Sequence, residues 1–207
     1  MVLGDVVRTL TMGVGGINAL AFDGKYLWIS QATGFTLQQI NPISGAVIRS
    51  FAAPDNNCSG LTFDGKYLWS VDWSTGLIYQ IDPVSGAVIR SFAAAGVEPN
   101  GLAFDGKYLW HSHWSAAIIR QVDPVSGAVL RSFAAPNTLN PECAFDGKYL
   151  WVVNTTDDRV YQINPISGAV VNSFATPTTN CTGLTFDGKY LWLSEGILDE
   201  IYQISLI

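Results

Sequence analysis

One heptapeptide, Phe-Asp-Gly-Lys-Tyr-Leu-Trp, occurs five times in this chain of 207 residues, and each copy starts 41 residues after the one before it. The copies begin at Phe22, Phe63, Phe104, Phe145 and Phe186. A second repeated segment, Asn-Pro-Ile-Ser-Gly-Ala-Val and its near copies, keeps the same interval. Its copies begin at Asn41, Asp82, Asp123 and Asn164. The fold must therefore be built from repetitions of one structural unit.

The length and content of the repeat indicate the architecture. A period in the low forties, rich in Phe, Tyr, Trp, Ile and Val, is typical of a β-propeller, in which each repeat forms one blade of four antiparallel strands. The chain is predicted to be an all-β protein, a five-bladed β-propeller. Because the period is unbroken, we expect residues 1–207 to form a single domain.

The second repeat shows how one blade is expected to fold. Asp64-Gly65 lies between two apolar runs and predicts a two-residue type I′ hairpin turn, which needs positive φ at both positions. Pro, Ser and Gly within residues 82–86 predict a second turn, because Pro presets φ and Gly accepts a left-handed backbone. The strands are expected at residues 60–63, 66–71, 77–81 and 87–92.

The two ends of the chain carry complementary parts of one repeat. Residues 4–10 precede residues 45–51 by 41 positions and match their pattern, so the chain is expected to open with the fourth strand of a blade. Residues 201–207 align with the third strand of earlier repeats. Pairing of these ends would close the ring without an open edge. A domain-swapped dimer would satisfy the same pairing; we expect the monomer.

Charge narrows the range of partners. The chain has 17 Asp and Glu against 11 Lys and Arg, and its formal net charge is −6. Each of the five Lys residues follows an Asp in the repeated turn, so the remaining acids fall mainly in the variable loops. An acidic face repels phosphate backbones, which excludes nucleic acid as an expected partner. Cations, amines and sugars suit such a face better.

Neither a targeting segment nor a metal-binding motif is visible. The chain has no run of about 20 apolar residues, so no membrane span or membrane partner is expected. Residues 1–10 lack a basic segment followed by an apolar run, so no signal peptide is expected and a cytoplasmic location is the default. Cys58, Cys143 and Cys181 show no CxxC spacing, which favours free thiols.

Candidate binding residues lie where the repeats diverge. Alternating strand direction puts the repeated turns on one face, here called the bottom, and the variable loops on the other, the top. Three residues after each repeated Trp stands a polar residue that differs in every copy. This polar ring consists of Gln31, Asp72, His113, Asn154 and Glu195. The next position is aromatic in two copies only, at Trp73 and Trp114. The inner strands begin near Asn18, Ser59, Asn100, Pro141-Glu142 and Thr182.

Each candidate has a structural alternative. The polar ring either contacts a ligand or caps strand ends and holds channel water. The two non-repeated Trp residues either cover the blade tops or stack on a ligand, and their absence from three copies favours the ligand. His113 is expected to be a hydrogen-bonded structural residue, and the nearby His111 is less informative. The predicted ligand-binding residues are Gln31, Asp72, Trp73, His113, Trp114, Asn154, Glu195, Glu142, Asn18 and Asn100.

The blade pattern resembles known propeller repeats. Phe-Asp-Gly-Lys-Tyr-Leu-Trp followed by Ile-Tyr-Gln-Ile-Asp-Pro-Val-Ser-Gly is similar to the YVTN and NHL-type repeats. The five-bladed arrangement is also similar to plant-type glutamine cyclotransferases, which cyclise N-terminal glutamine. That resemblance implies a Glu-Gly-Leu segment before the hairpin turn, but this chain has Ser59-Gly60-Leu61 and Asn100-Gly101-Leu102 instead. Glu142 lies one place later in its own blade.

The sequence favours a non-enzymatic binding or scaffold protein, because no motif for nucleophilic, metal or phosphate chemistry is present. No cofactor is expected beyond a cation or water in the channel, and the expected partner is a small molecule, glycan or peptide at the top face. One alternative is a glutaminyl cyclase-like or lyase-like enzyme with Asp72, His113 and Glu195 as acid–base residues. Another is a symmetric scaffold without a ligand, produced by recent amplification or deliberate construction.

Overall fold

Strands form where apolar and β-branched residues run between the repeated turns. The computed structural model describes residues 2–13, 15–96, 98–138 and 142–207. The chain opens with β1 (Val6–Thr11). Blade 1 follows with β2 (Ile17–Phe22), β3 (Leu27–Gln31), β4 (Thr36–Ile40) and β5 (Val47–Ala52). Blade 2 contains β6 (Cys58–Phe63), β7 (Leu68–Asp72), β8 (Leu77–Ile81) and β9 (Val88–Ala93).

The remaining blades repeat this order. Blade 3 contains β10 (Pro99–Phe104), β11 (Leu109–His113), β12 (Ile118–Val122) and β13 (Val129–Ala134). Blade 4 contains β14 (Glu142–Phe145), β15 (Leu150–Asn154), β16 (Arg159–Ile163) and β17 (Val170–Ala175). Blade 5 contains β18 (Cys181–Phe186), β19 (Leu191–Glu195), β20 (Glu200–Ile204) and the opening strand β1.

The strands form a closed ring of five blades. Over the described residues there are five sheets, each with four antiparallel strands. The first strands of the blades, β2, β6, β10, β14 and β18, lie next to one another around a central channel. The predicted all-β, five-bladed propeller is therefore confirmed. In the part of the chain that the structure describes, no helix is long and apolar enough to cross a bilayer.

Ring closure depends on pairing between the two ends of the chain. β1 runs antiparallel to β20, with Arg8 opposite Gln203 and Leu10 opposite Ile201. The pairing follows the register of the other outer strands, in which Arg49 lies opposite Gln39. The first strand thus completes the blade that the last residues begin, as the sequence predicted.

The ends also rebuild the bottom turn of blade 5 without a covalent link. The Gly4 N–H donates to the Ser205 carbonyl at 2.9 Å, and the Ser205 N–H donates to the Asp5 carbonyl at 2.9 Å. In blade 2 the corresponding bonds join Gly86 to Asp82 and Asp82 to Ala87, also at 2.9 Å. We call this junction, formed by residues 2–5 and 205–207, the seam.

The Asp-Gly turn differs from the prediction. It is four residues long, from Asp64 to Tyr67, and Gly65 has a φ of 93° whereas Asp64 is not in the positive region. The Asp64 Oδ1 accepts the N–H groups of Lys66 at 2.8 Å and Tyr67 at 2.7 Å, and its Oδ2 accepts Trp69 Nε1 at 2.7 Å. The predicted type I′ turn at Asp64-Gly65 is wrong, because Asp64 lacks the positive φ that this turn needs and uses its carboxylate to accept the N–H groups of the turn.

Apolar side chains fill the spaces between neighbouring blades. One core joins Ala19, Trp28 and Leu37 of blade 1 to Leu68 and Ile81 of blade 2. The repeated Trp residues are buried and pack near a Phe of the outer strand, with ring centroids 5.5–6.2 Å apart in four blades of the described chain. Each blade is covered on both faces, which explains why only 14% of the residues are charged.

Candidate functional site

A cavity of about 350 Å³ opens at the top mouth of the central channel. Its lining residues are Asn18, Ser59, Trp73, Asn100, Trp114 and Thr182. The four polar residues are each the second residue of an inner strand. In each of these strands the register shifts at this point, so the residue leaves the regular ladder. Such irregularities commonly re-aim a side chain next to a site. Pro141, the corresponding residue of blade 4, lies outside the described residues.

The polar groups of the mouth differ in their availability. Thr182 Oγ1 donates to the Ile17 carbonyl at 2.6 Å, and Ser59 Oγ donates to the Val71 carbonyl at 3.3 Å. Considering the described residues, the side-chain amides of Asn18 and Asn100 have no hydrogen bond to protein. Amides hydrogen-bond through both oxygen and nitrogen, so these two groups can bind a ligand from opposite sides of the channel.

Two tryptophans form the apolar part of the mouth. Trp73 follows β7 and is 47% exposed, and Trp114 follows β11 and is half-buried. Their backbones are held as in the other blades: the Trp114 N–H donates to the Glu98 carbonyl at 3.0 Å, and the Ala32 N–H donates to the Gly16 carbonyl at 2.9 Å. Because Ala32 occupies the same position in blade 1, the backbone does not require an aromatic side chain here.

The polar ring lies at the ends of the second strands, as expected, but its side chains turn into the top loops. Asp72 shows the arrangement most clearly. Its Oδ1 accepts the N–H groups of Ser74 at 2.9 Å and Thr75 at 2.8 Å, and its Oδ2 accepts the Asn57 N–H at 2.8 Å. Burial alone would raise the pKa of Asp72, but these hydrogen bonds outweigh it and lower the pKa.

The other members of the ring also bond within the loops. Asn154 Oδ1 accepts the Thr156 N–H at 2.9 Å, and Glu195 Oε2 accepts the Ile197 N–H at 2.8 Å. Gln31 Oε1 accepts the Thr36 hydroxyl at 2.8 Å.

The described lining of the mouth cavity contains no member of the polar ring. The structure therefore brings together Asn18, Asn100, Trp73 and Trp114 of the predicted set, and it places the ring residues behind them.

Glu142 occupies a distinct place inside the channel. It is the first residue of β14 and is fully buried, at a position that is glycine in three other blades. Its Oε2 accepts the Leu61 N–H at 3.1 Å, and its Oε1 accepts the N–H groups of Leu102 at 2.5 Å and Cys143 at 3.1 Å. One carboxyl group thus links the inner strands of blades 2, 3 and 4. It is not part of the described lining of the mouth cavity.

Burial governs the protonation of Glu142. Removal from water raises its pKa well above the ordinary value, and the backbone N–H groups, including that of Leu20, offset this in part. The glycines of the neighbouring blades are required by close packing: a Cβ at Gly60 would lie 2.1 Å from the Asn100 carbonyl oxygen. The glutamate of blade 4 is therefore a departure from the repeat at a position where the glycine of blade 2 is closely packed.

Two histidines and an arginine form a second non-repeated cluster, in blade 3. The rings of His111 and His113 lie 4.8 Å apart, and His113 Nε2 contacts Arg120 Nη1. Arg120 Nη1 also donates to the Ala95 carbonyl at 2.7 Å. His113 is thus a buried, hydrogen-bonded residue, and its arginine partner was not predicted. Among the described residues, no group of three His, Cys, Asp or Glu side chains could hold a metal ion.

His111 is the less favourable member of this cluster. It is fully buried, and neither ring nitrogen has a hydrogen-bond partner. Burial, with a smaller contribution from His113 and Arg120, lowers its pKa to about 3. The corresponding residues of other blades include Ile29 and Val152, which suit this apolar space.

The chain is similar in fold to solved structures of low sequence identity. No protein-family model and no curated protein matches it. The crystal structure of a glutaminyl cyclase from Myxococcus xanthus is similar over 100% of both chains, with a TM-score of 0.85 and 16% identity. A hydrazine synthase from Kuenenia stuttgartiensis is similar with a TM-score of 0.57 and 20% identity, covering 89% of this chain and 57% of that one. At these identities the likeness shows the fold alone.

His111→Val is expected to stabilise the protein by about 1–3 kcal/mol at neutral pH, because it removes two unpaired buried nitrogens. Stability should also become less sensitive to acid. The unfolded chain binds this proton near pH 6.5 and the folded protein only near pH 3, so the wild type loses stability as the pH falls through that window. Urea unfolding at several pH values measures both effects. Ile29→His, the reverse change in blade 1, is the control and should destabilise; an unchanged midpoint for His111→Val contradicts the account.

Glu142→Gln tests the buried carboxyl group. Since the folded pKa is raised, the unfolded state releases the proton first, and the contribution of Glu142 to stability declines as the pH rises above 4.5. The difference in unfolding free energy between wild type and variant should fall with pH, by up to about 1.4 kcal/mol per pH unit. A difference that stays constant from acidic to neutral pH would show that Glu142 titrates normally.

Proposed function

We propose that the protein is a binding propeller that holds a small, neutral, polar ligand, a sugar residue above all, in the top mouth of its channel. The observation that carries this proposal is the cavity of about 350 Å³ in which two non-repeated Trp side chains stand beside two unpaired amides. Ligand sites typically measure about 300–1,000 Å³, so the cavity suits a ligand of one or two rings.

The chemistry of the lining supports a neutral ligand. A sugar ring presents apolar C–H faces that pack on aromatic rings and hydroxyl groups that bond to amides. Trp73 and Trp114 offer the aromatic surfaces, and Asn18 and Asn100 offer the amides. The fit depends on both kinds of group, because apolar contact supplies affinity and a few placed polar groups supply orientation.

A cation is less well supported than a sugar. The described lining contains amides, hydroxyl groups and indoles but no carboxylate. Asp72 and Glu195, the two acids of the polar ring, are already bonded to backbone N–H groups of their own loops. A hard cation such as calcium requires about 6–8 oxygen ligands, which these neutral side chains do not supply.

Trp114→Ala is expected to weaken sugar binding at least about tenfold, because the stacking face is lost while the backbone, like that at Ala32, remains supported. The measurement is isothermal titration with a panel of neutral and N-acetylated monosaccharides. Trp73→Ala should weaken binding as well. Thr155→Ala, the same position in blade 4 and outside the described lining, is the control and should leave affinity unchanged. Equal affinities for wild type and both Trp variants, or no binder in the panel, would refute the proposal.

Glutaminyl cyclisation is a second candidate, favoured by the fold shared with a glutaminyl cyclase and by a carboxyl group in the channel. In that reaction the N-terminal amine attacks the glutamine side-chain amide, and ammonia leaves. The attacking amine loses a proton and the departing amide nitrogen gains one. Glu142 is a buried acid inside the channel that could pass this proton, although both of its oxygens accept backbone N–H groups. An ammonia-release assay with N-terminal glutaminyl peptides tests this candidate. Product that disappears in Glu142→Gln supports it, and no product above the buffer rate excludes it.

A further inference from the structure

Arginines of the outer strands join neighbouring blades at the bottom face. Each of these side chains crosses to a carbonyl in the bottom turn of the next blade. In each case the arginine Nη1 donates to the carbonyl oxygen. The pairs are Arg8 and Pro42 at 3.1 Å, Arg49 and Pro83 at 3.0 Å, Arg90 and Val125 at 3.1 Å, and Arg131 and Pro165 at 3.3 Å. The repeat therefore contains a binding place for a guanidinium group, which its own chain fills.

The Arg90 site shows the components of that place. The guanidinium carbon lies 5.3 Å from the ring centroid of Trp69, and Nε donates to Gln80 Oε1 at 2.9 Å. Nη2 also donates to the Pro124 carbonyl. An aromatic face, an amide oxygen and turn carbonyls match the planar, fork-shaped donor set of arginine.

The interface between blades 4 and 5 lacks this arginine. Asn172 occupies the position 82 residues, or two repeats, after Arg90, and it lies opposite Gln162 as Arg90 lies opposite Gln80. The next bottom turn is the seam, where Leu206 takes the place of Pro124. A cavity of about 400 Å³ opens there. The residues that matter for its chemistry are Asp146, Trp151, Gln162, Asn172 and Leu206.

Two components of the guanidinium place, an aromatic ring and a side-chain amide, line this cavity. Trp151 and Gln162 correspond to Trp69 and Gln80, and Asp146 Oδ2 holds Trp151 Nε1 at 2.7 Å as in the other blades. Asn172 is too short to cross to the seam. We propose that this seam cavity binds the guanidinium group of an arginine side chain supplied by a peptide or by free arginine.

The nearby lysine does not oppose such a ligand. Lys148 Nζ lies over the Tyr149 ring, 4.7 Å from its centroid. Lys66 lies over Tyr67 in the same way, at 4.8 Å, in the blade that also holds Arg90. The repeat thus accommodates both cations at once. The seam cavity is at the bottom outer edge of the ring and shares no lining residue with the top mouth.

Titration with N-acetyl-L-arginine amide, followed by the indole N–H signals of the tryptophans in two-dimensional NMR spectra, tests the proposal. The signal of Trp151 should shift in a saturable way, whereas that of Trp69, already covered by Arg90, should not. The corresponding blocked lysine should bind at least about tenfold more weakly, because it lacks the planar fork. No saturable shift of Trp151 up to the solubility limit of the ligand overturns the proposal, and so does equal affinity for the two ligands.

Two reciprocal variants sharpen the test. Asn172→Arg supplies the missing guanidinium from the chain itself and should abolish binding of blocked arginine. Arg90→Asn empties the corresponding place in blade 2 and should create a second saturable site, reported by Trp69. Persistent binding at Trp151 in a folded Asn172→Arg protein contradicts the proposal. A peptide with one central arginine distinguishes the two ligand sources. If the peptide binds more tightly than N-acetyl-L-arginine amide, the site is assigned to peptides. If the two affinities are equal, the site is assigned to the arginine side chain alone.

Discussion

The antiparallel pairing of β1 with β20 is the interaction on which the rest of the structure depends. A blade exposes an unpaired edge and two apolar faces, and only a closed ring covers the faces of every blade. Closure sets the position of five inner strands around one channel, and it therefore sets the distance between the residues at the mouth. It also leaves a non-covalent turn at the seam, where Leu206 and Leu3 replace a continuous chain. The two cavities are thus both consequences of how the ring closes.

The repeated residues and the non-repeated ones have different physical roles. In every copy the turn Asp accepts two backbone N–H groups and the indole of the repeated Trp, which fixes the bottom of the blade. Departures from the repeat create chemistry: an acid in place of glycine at Glu142, an imidazole in place of an aliphatic residue at His111, and an amide in place of arginine at Asn172. The departure at His111 leaves two ring nitrogens without hydrogen-bond partners, and the departure at Asn172 leaves a cavity. Such costs are expected where one copy of a repeat differs from the others.

The sequence predicts the architecture well because the period, the turn residues and the matching ends all depend on backbone geometry. The sequence also predicts that Asn18, Asn100, Trp73 and Trp114 lie close together, since equivalent positions of a symmetric ring must be neighbours. The direction of the side chains in the polar ring was not predictable. Asp72, for example, turns toward N–H groups of its loops, and these groups are brought into position only when the loops fold. The seam cavity was readable in principle from Asn172, the one outer-strand position without the repeated arginine. Recognising it required knowing what the other arginines contact.

Amide hydrogen exchange at the closing strand tests ring closure most directly. Arg8 and Leu10 of β1 correspond to Arg49 and Phe51 of β5, which is continuous with its own blade. If β1 closes the ring in the folded protein, corresponding amides of the two strands should show protection of the same order, independent of protein concentration. Exchange of the β1 amides at the rate of an unfolded chain, while β5 stays protected, would contradict the closed ring and both cavities with it.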